Sequence, residues 1–305
     1  MKIATFNIEF LFDEGTHKHS GKEWIYPKEY VARRVDHLSD VFTKIDADIL
    51  FLQEMASEKI LQRIIEKTGK NYSYFIATPD KFGVGNAVIF KDKNCVCESI
   101  SATTNFPVIV EGDQDSVGPR IHSRRAFVHL TTTYNDKPFH LFGLHLNSRF
   151  FVHLRNVNME PVLATSQIEA ADSLIRSEVF RCIQARKMRQ VIDTLFTTDK
   201  NAQIAVMGDF NSIERETPFR IIQGEFRTHD DALVSLASRV ASEKRYSFIG
   251  ENGHKLIDHI LISKGLEYSV DSFAILNETL SHHSNQLPSP TFVESDHAPL
   301  ILKLI

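Results

Sequence analysis

Five short segments, spread from one end of the chain to the other, join apolar strand-forming residues to a carboxylate, an amide or an imidazole. They are Ala4-Thr5-Phe6-Asn7-Ile8-Glu9, Leu50-Phe51-Leu52-Gln53-Glu54, Gly143-Leu144-His145-Leu146-Asn147-Ser148, Val206-Met207-Gly208-Asp209-Phe210-Asn211 and Ser295-Asp296-His297-Ala298-Pro299. A sixth, Lys255-Leu256-Ile257-Asp258-His259-Ile260, opens a strand instead of closing one. Short apolar runs bounded by polar residues read as buried strands. A fold that satisfies all six must bring distant strands side by side with their ends at one edge, where their polar side chains meet.

The rest of the pattern agrees. Runs rich in β-branched and aromatic residues occur at 2–10, 48–54, 73–77, 84–90, 126–133, 139–146, 203–208, 246–249, 256–263, 268–275 and 299–304. Helical periodicity appears at 28–45, where Tyr30, Val31, Val35, Leu38, Val41, Phe42 and Ile45 recur every three or four residues, and again at 57–68 and 165–197. Many strands with few helices predict an α+β fold of two packed mixed sheets with helices on the outer faces, a four-layer α/β/β/α sandwich. No linker, repeat or low-complexity tract divides the chain, so one domain over 1–305 is expected. Segments 13–27, 111–124, 148–160 and 278–294 are expected as rim loops.

Composition narrows the chemistry. With 42% hydrophobic and 24% charged residues, disordered, collagen-like and coiled-coil classes are excluded. The longest apolar runs are strand-sized, far short of a helical membrane span, and the N-terminus lacks a secretory layout, so a cytoplasmic protein is expected. Cys95, Cys97 and Cys182 supply no four-thiolate zinc set; Cys95 and Cys97 are expected on opposite faces of a strand, unable to bridge. The net charge is −4, yet the stretch from Arg120 to Arg189 holds eleven basic against five acidic residues. That surplus is either a solvated face or a phosphate-attracting rim.

Asp209 and Asn211 lie two apart, so an extended backbone turns both to one side. That pair suits a hard cation or an activated water. Glu54 after its apolar run is an oxygen donor of the kind that binds Mg²⁺.

In this order the motifs Thr5-Phe6-Asn7, Leu52-Gln53-Glu54, His145-Leu146-Asn147-Ser148, Gly208-Asp209-Phe210-Asn211, Ile257-Asp258-His259 and Ser295-Asp296-His297-Ala298-Pro299 resemble the endonuclease/exonuclease/phosphatase family over nearly the whole chain, Ile3 to Leu304. The resemblance implies a four-layer sandwich and metal-dependent phosphodiester hydrolysis, with Mg²⁺ as cofactor and Mn²⁺ as a substitute. It further implies a metal set of Asn7, Glu54 and Asp296, and a catalytic set of His145, Asp209, Asn211, Asp258 and His297. Asp209 would orient or deprotonate water, and Asn211 would fix Asp209 or donate to a phosphate oxygen. Asp296 adjoins His297 but points elsewhere from an extended backbone, so Asp258 is the expected partner of the His297 ring. His145 is expected as a proton donor near neutral pH, and Arg124 and Asn147 as phosphate contacts. His259 faces away from Asp258 and is expected to be structural.

The one tryptophan is Trp24, whereas abasic-site members carry one shortly before the residue matched by Asp258. Nucleic acid is therefore the first substrate expected, cut without lesion reading. A phosphatase or phosphodiesterase acting on a small molecule or lipid headgroup is second, and a catalytically silent phosphate- or nucleic-acid-binding module third.

Overall fold

The computed structural model describes residues 1–19, 22–80, 82–101, 125–149, 154–155, 161–225, 231–282 and 292–305. Two six-stranded mixed sheets form its centre. The first runs Val270–Ile275, Leu300–Leu304, Lys2–Leu11, Ile49–Met55, Gly85–Phe90 and Ser73–Ile76; the second runs Leu233–Ser235, Asp258–Ser263, Gln203–Asp209, Lys137–His145, Phe127–Tyr134 and Val96–Ile100. Each sheet has one parallel pair, Lys2–Leu11 with Ile49–Met55 and Lys137–His145 with Gln203–Asp209. Parallel neighbours need a long crossover. The helices Lys28–Ile45 and Gln167–Thr198 provide it.

Helix Lys28–Ile45 keeps the boundaries read from its periodicity and buries Tyr30, Val31, Val35, Leu38, Phe42 and Ile45 on one stripe. Glu58–Thr68 begins where the Ser57 hydroxyl accepts from the Ile60 N–H and stops at Gly69, whose φ of 66° suits a residue without Cβ. Three apolar layers result. One lies between the sheets, around Phe51, Val88, Val128, Leu141 and Ile260. A second fills the space between the first sheet and helices Lys28–Ile45 and Glu58–Thr68, and a third lies beneath Gln167–Thr198 and the short helix Thr217–Gln223. The four-layer expectation holds. At the centre of the inter-sheet layer Gly143 faces Phe51, and a Cβ on Gly143 would stand 2.2 Å from the ring.

Three details depart from the sequence reading. Segment 13–27 contains a hairpin, Gly15–His19 with Lys22–Tyr26, hidden by its polar composition. The strand expected at Cys95–Cys97 continues along the sheet edge as Val96–Ile100, a length its composition does not signal because most of it faces solvent. Cys95 and Cys97 pack against the same inter-sheet core, as residues two apart on a strand must, and both remain free thiols. Segment 111–124 lies outside the described residues, as does most of 148–160.

Candidate active site

All six motifs meet at one edge. The parallel strands Lys2–Leu11, Ile49–Met55, Lys137–His145 and Gln203–Asp209 bring Asn7, Glu54, His145 and Asp209 there at or near their C-terminal ends. Asp258 opens its antiparallel strand beside Asp209, in register with it. His297 arrives just before the last strand and is pinned by a bridge to Phe248.

The backbone bends to aim these groups. Register is lost between Asn7 and Leu11, where Glu9 and Phe10 have φ of 47° and 45°, and Glu54 opposite has φ of 62°. Non-glycine residues rarely adopt such angles, and bulges that re-aim side chains concentrate at functional edges. Buried Arg34 holds the bend from behind, donating to the carbonyls of Ile8, Glu9 and Val293.

Asp209 is the hub. Its Oδ2 accepts from Asn7 Nδ2 at 3.1 Å and Asn211 Nδ2 at 3.3 Å, lies 3.3 Å from His145 Nε2, and stands 3.9 Å from His297 Nε2. Its Oδ1 accepts from the Asn211 N–H at 2.7 Å. Burial and the charge of Asp258 push its carboxyl up to about 7. His297 Nδ1 meets Asp258 Oδ2 at 2.7 Å, the contact expected from strand geometry, while Asp296 Oδ1 lies 3.7 Å from Nε2. Ser247, unsuspected from sequence, donates its hydroxyl to the same Asp258 oxygen at 2.6 Å. Burial opposes charge on His297, but the carboxylates of Asp258, Asp296 and Asp209 overcome it and raise the imidazole well above its ordinary value. These carboxylates favour the charged form of the ring.

His145 behaves in the opposite way. Burial, Arg125 and His297 lower it well below its ordinary value, which favours the neutral ring. Arg125 causes part of this, since Nη1 lies 2.6 Å from His145 Nδ1. Arg124 lies outside the described residues; Arg125 is the basic residue seen at the site. Asn147 turns away, its Nδ2 donating to the Ser148 carbonyl and its N–H to Gln184 of the long helix. Among the described residues Asn147 is bonded to Ser148 and the long helix and not to the carboxylates, since the chain has left the strand by that residue. His259 is structural, as expected, set against Phe210 and Phe219 and facing the Ser212 carbonyl.

The donor set fits a hard divalent cation. Glu9, Glu54, Asp209, Asp258 and Asp296 converge at the edge, and burial first, then the charge of Glu9, raises Glu54. Arg125 and His297 do not match so many carboxylates, and oxygen donors of this kind suit a hard divalent cation. Asn7 meets Glu54 and Asp209 with its nitrogen, while its oxygen accepts from the Glu9 N–H at 3.0 Å. It stands as a bridging donor. Asp209, Asp258 and His297 also bring ligand atoms within 4.8 Å of one another, a second grouping able to approach a cation.

The model of the Endonuclease/Exonuclease/phosphatase family matches residues 4–281. The chain belongs to this family. It is accordingly a metal-dependent phosphoester hydrolase. No curated protein matches it by sequence. Among solved structures it is similar to a mannosyl-6-phosphatase from Bacteroides thetaiotaomicron, at 15% identity and a TM-score of 0.58, covering 100% of this chain and 99% of that one. It is similar to D. rerio TDP2 complexed with a single-strand DNA product, at 14% identity and 0.57, covering 99% and 97%. A family protein from Leptotrichia buccalis matches at 16% and 0.56, covering 100% and 99%. At these identities the likeness concerns the fold. Among the described residues no helix is long and apolar enough to cross a membrane.

Proposed function

We propose that the chain hydrolyses phosphodiesters of nucleic acid, with Mg²⁺ as its cofactor, by in-line attack of water. The observation that carries the hydrolytic chemistry is the convergence on Asp209 Oδ2 of Asn7, Asn211 and His145, with the Asp258–His297 pair beside it. A carboxylate at about 7 is a serviceable base at neutral pH. Asp209 takes a proton from the attacking water, while Asn7 and Asn211 hold its orientation. His297, kept charged and oriented by Asp258, donates from Nε2 to a phosphoryl oxygen as charge develops. Neutral His145 faces the same Asp209 oxygen through Nε2. Glu54 and Asp296 would hold the cation, which supplies Lewis-acid neutralisation of the phosphoryl oxygens.

Nucleic acid is favoured by the basic surplus between Arg120 and Arg189 and by the likeness to a protein holding a DNA product. Phosphomonoester hydrolysis on a small molecule is the second reading, favoured because Arg149 is tied to Glu216 and the Asn211 carbonyl. Single- and double-stranded DNA, RNA, sugar phosphates, inositol phosphates and a chromogenic diester should be compared at several salt concentrations. Nuclease action is expected, with a salt dependence that flattens in Arg149→Ala. Efficient turnover of monoesters with none on polynucleotide would overturn the nucleic-acid reading.

A further inference from the structure

On the outer face of the second sheet, three neighbouring strands place Glu98, His129 and His140 in a row unrelated to the carboxylate edge. Glu98 pairs across with His129, and His140 sits diagonally on the next strand, opposite Thr131. Glu98 Oε1 lies 2.7 Å from His129 Nδ1, and His129 Nε2 lies 3.1 Å from His140 Nδ1. The carboxylate fixes the tautomer: Nδ1 of His129 carries the hydrogen and Nε2 presents its lone pair. In that tautomer Thr131 Oγ1, 3.3 Å away, donates to the same Nε2.

We propose that His129 and His140 form a site for a divalent transition-metal ion of the zinc class, distinct from the oxygen-donor centre. Two imidazole nitrogens at 2.0–2.1 Å from a tetrahedral Zn²⁺ stand about 3.3 Å apart, and these stand 3.1 Å apart. The ring centroids are 5.3 Å apart and the ring planes 28° apart, close to the roughly 5.2 Å between the centroids of two imidazoles that share one tetrahedral ion. Glu98 on the far nitrogen of His129 is the carboxylate–histidine–metal arrangement that raises ligand basicity. His129 also lies flat on buried Phe142, with centroids 4.4 Å apart, which fixes its ring. Binding asks only that His140 move its hydrogen from Nδ1 to Nε2. Both histidines are partly exposed, so water completes the coordination. Nitrogen donors select Zn²⁺, Ni²⁺ or Cu²⁺ over Mg²⁺.

The test is calorimetric titration of the chelator-stripped full chain with Zn²⁺ at pH 7.5 in excess Mg²⁺. One Zn²⁺ equivalent should be lost in His140→Ala and in His129→Ala and retained in His297→Ala. Glu98→Gln should bind it 10–100-fold more weakly. Turnover supported by Mg²⁺ should be unchanged in His140→Ala. Cu²⁺ spectra should show coupling to two nitrogens in the wild type and one in His140→Asn, a readout independent of activity, and circular dichroism checks that each variant is folded. Unchanged zinc stoichiometry and affinity in folded His140→Ala, or loss of zinc only in His297→Ala, would overturn the proposal.

Discussion

Replacing Asp258 by Asn tests whether His297 works as an oriented imidazolium. Asp258 Oδ2 accepts from His297 Nδ1 and from the Ser247 hydroxyl, and its Oδ1 has no hydrogen-bond partner among the described residues. Asn can keep its oxygen toward His297 and Ser247, but its NH₂ then occupies the unpartnered position. A hydrogen bond to a charged group contributes about 1.5–3 kcal/mol, which at about 1.4 kcal/mol per tenfold shifts the His297 protonation equilibrium roughly ten- to 150-fold toward the neutral ring, before any loss of orientation. The buried NH₂ costs about 1–3 kcal/mol of stability, a drop that thermal unfolding should register without abolishing the fold. Steady-state turnover of a chromogenic diester should fall by about 10²-fold while the Mg²⁺ concentration for half activation stays the same. The His297 ring resonances should titrate at lower pH than in the wild type. Asp296→Asn should instead raise the metal requirement. Turnover within threefold of wild type in folded Asp258→Asn, or a larger metal effect there than in Asp296→Asn, would refute the assignment.

Three further outcomes are expected. Chelation should abolish hydrolysis and Mg²⁺ or Mn²⁺ restore it, because the buried donors are oxygens; full activity after exhaustive chelation would contradict the site. Gly208→Ala should cost about 2–6 kcal/mol from strain and overlap, since φ is 133° and a Cβ would lie 2.0 Å from the Leu144 carbonyl oxygen; denaturant unfolding would measure it. Asp46 is held down at about 2 by hydrogen bonds from Lys70 and then Lys91. Its stabilisation is therefore present above the ordinary carboxylate value, near 4, and lost as pH falls through about 2. Asp46→Asn should lower stability at pH 6 by less than about 1 kcal/mol, as exposed pairs do, and leave it unchanged below pH 2.

The strands carrying Asn7, Glu54, His145 and Asp209 were legible because burial on both faces writes continuous apolar runs, and helix Lys28–Ile45 because its burial has a single period. The His297–Asp258 contact followed from strand alternation. What escaped depends on the third dimension. Glu9 sits two residues after Asn7, the same spacing that drew attention to Asp209 and Asn211, yet a positive-φ bend places its carboxylate beside the Asp296 N–H. That Arg125 reaches His145 depends on a fold contact that the sequence does not record. The neutrality of His145 arises from burial and a neighbour twenty residues away, which no local pattern records.

The close approach of Gly143 to Phe51 sets the gap across which the two halves of the site face each other. Asn7 belongs to one sheet and Asp209 to the other, joined at 3.1 Å. A single methyl group at 143, seeking an ordinary separation of about 3.5–4 Å from the ring, would wedge the sheets apart by more than the slack in that hydrogen bond. The distance between the reacting groups is thus calibrated in the middle of the core, by a side chain that is missing, and the hydrolytic edge inherits its tolerance from a place no substrate touches.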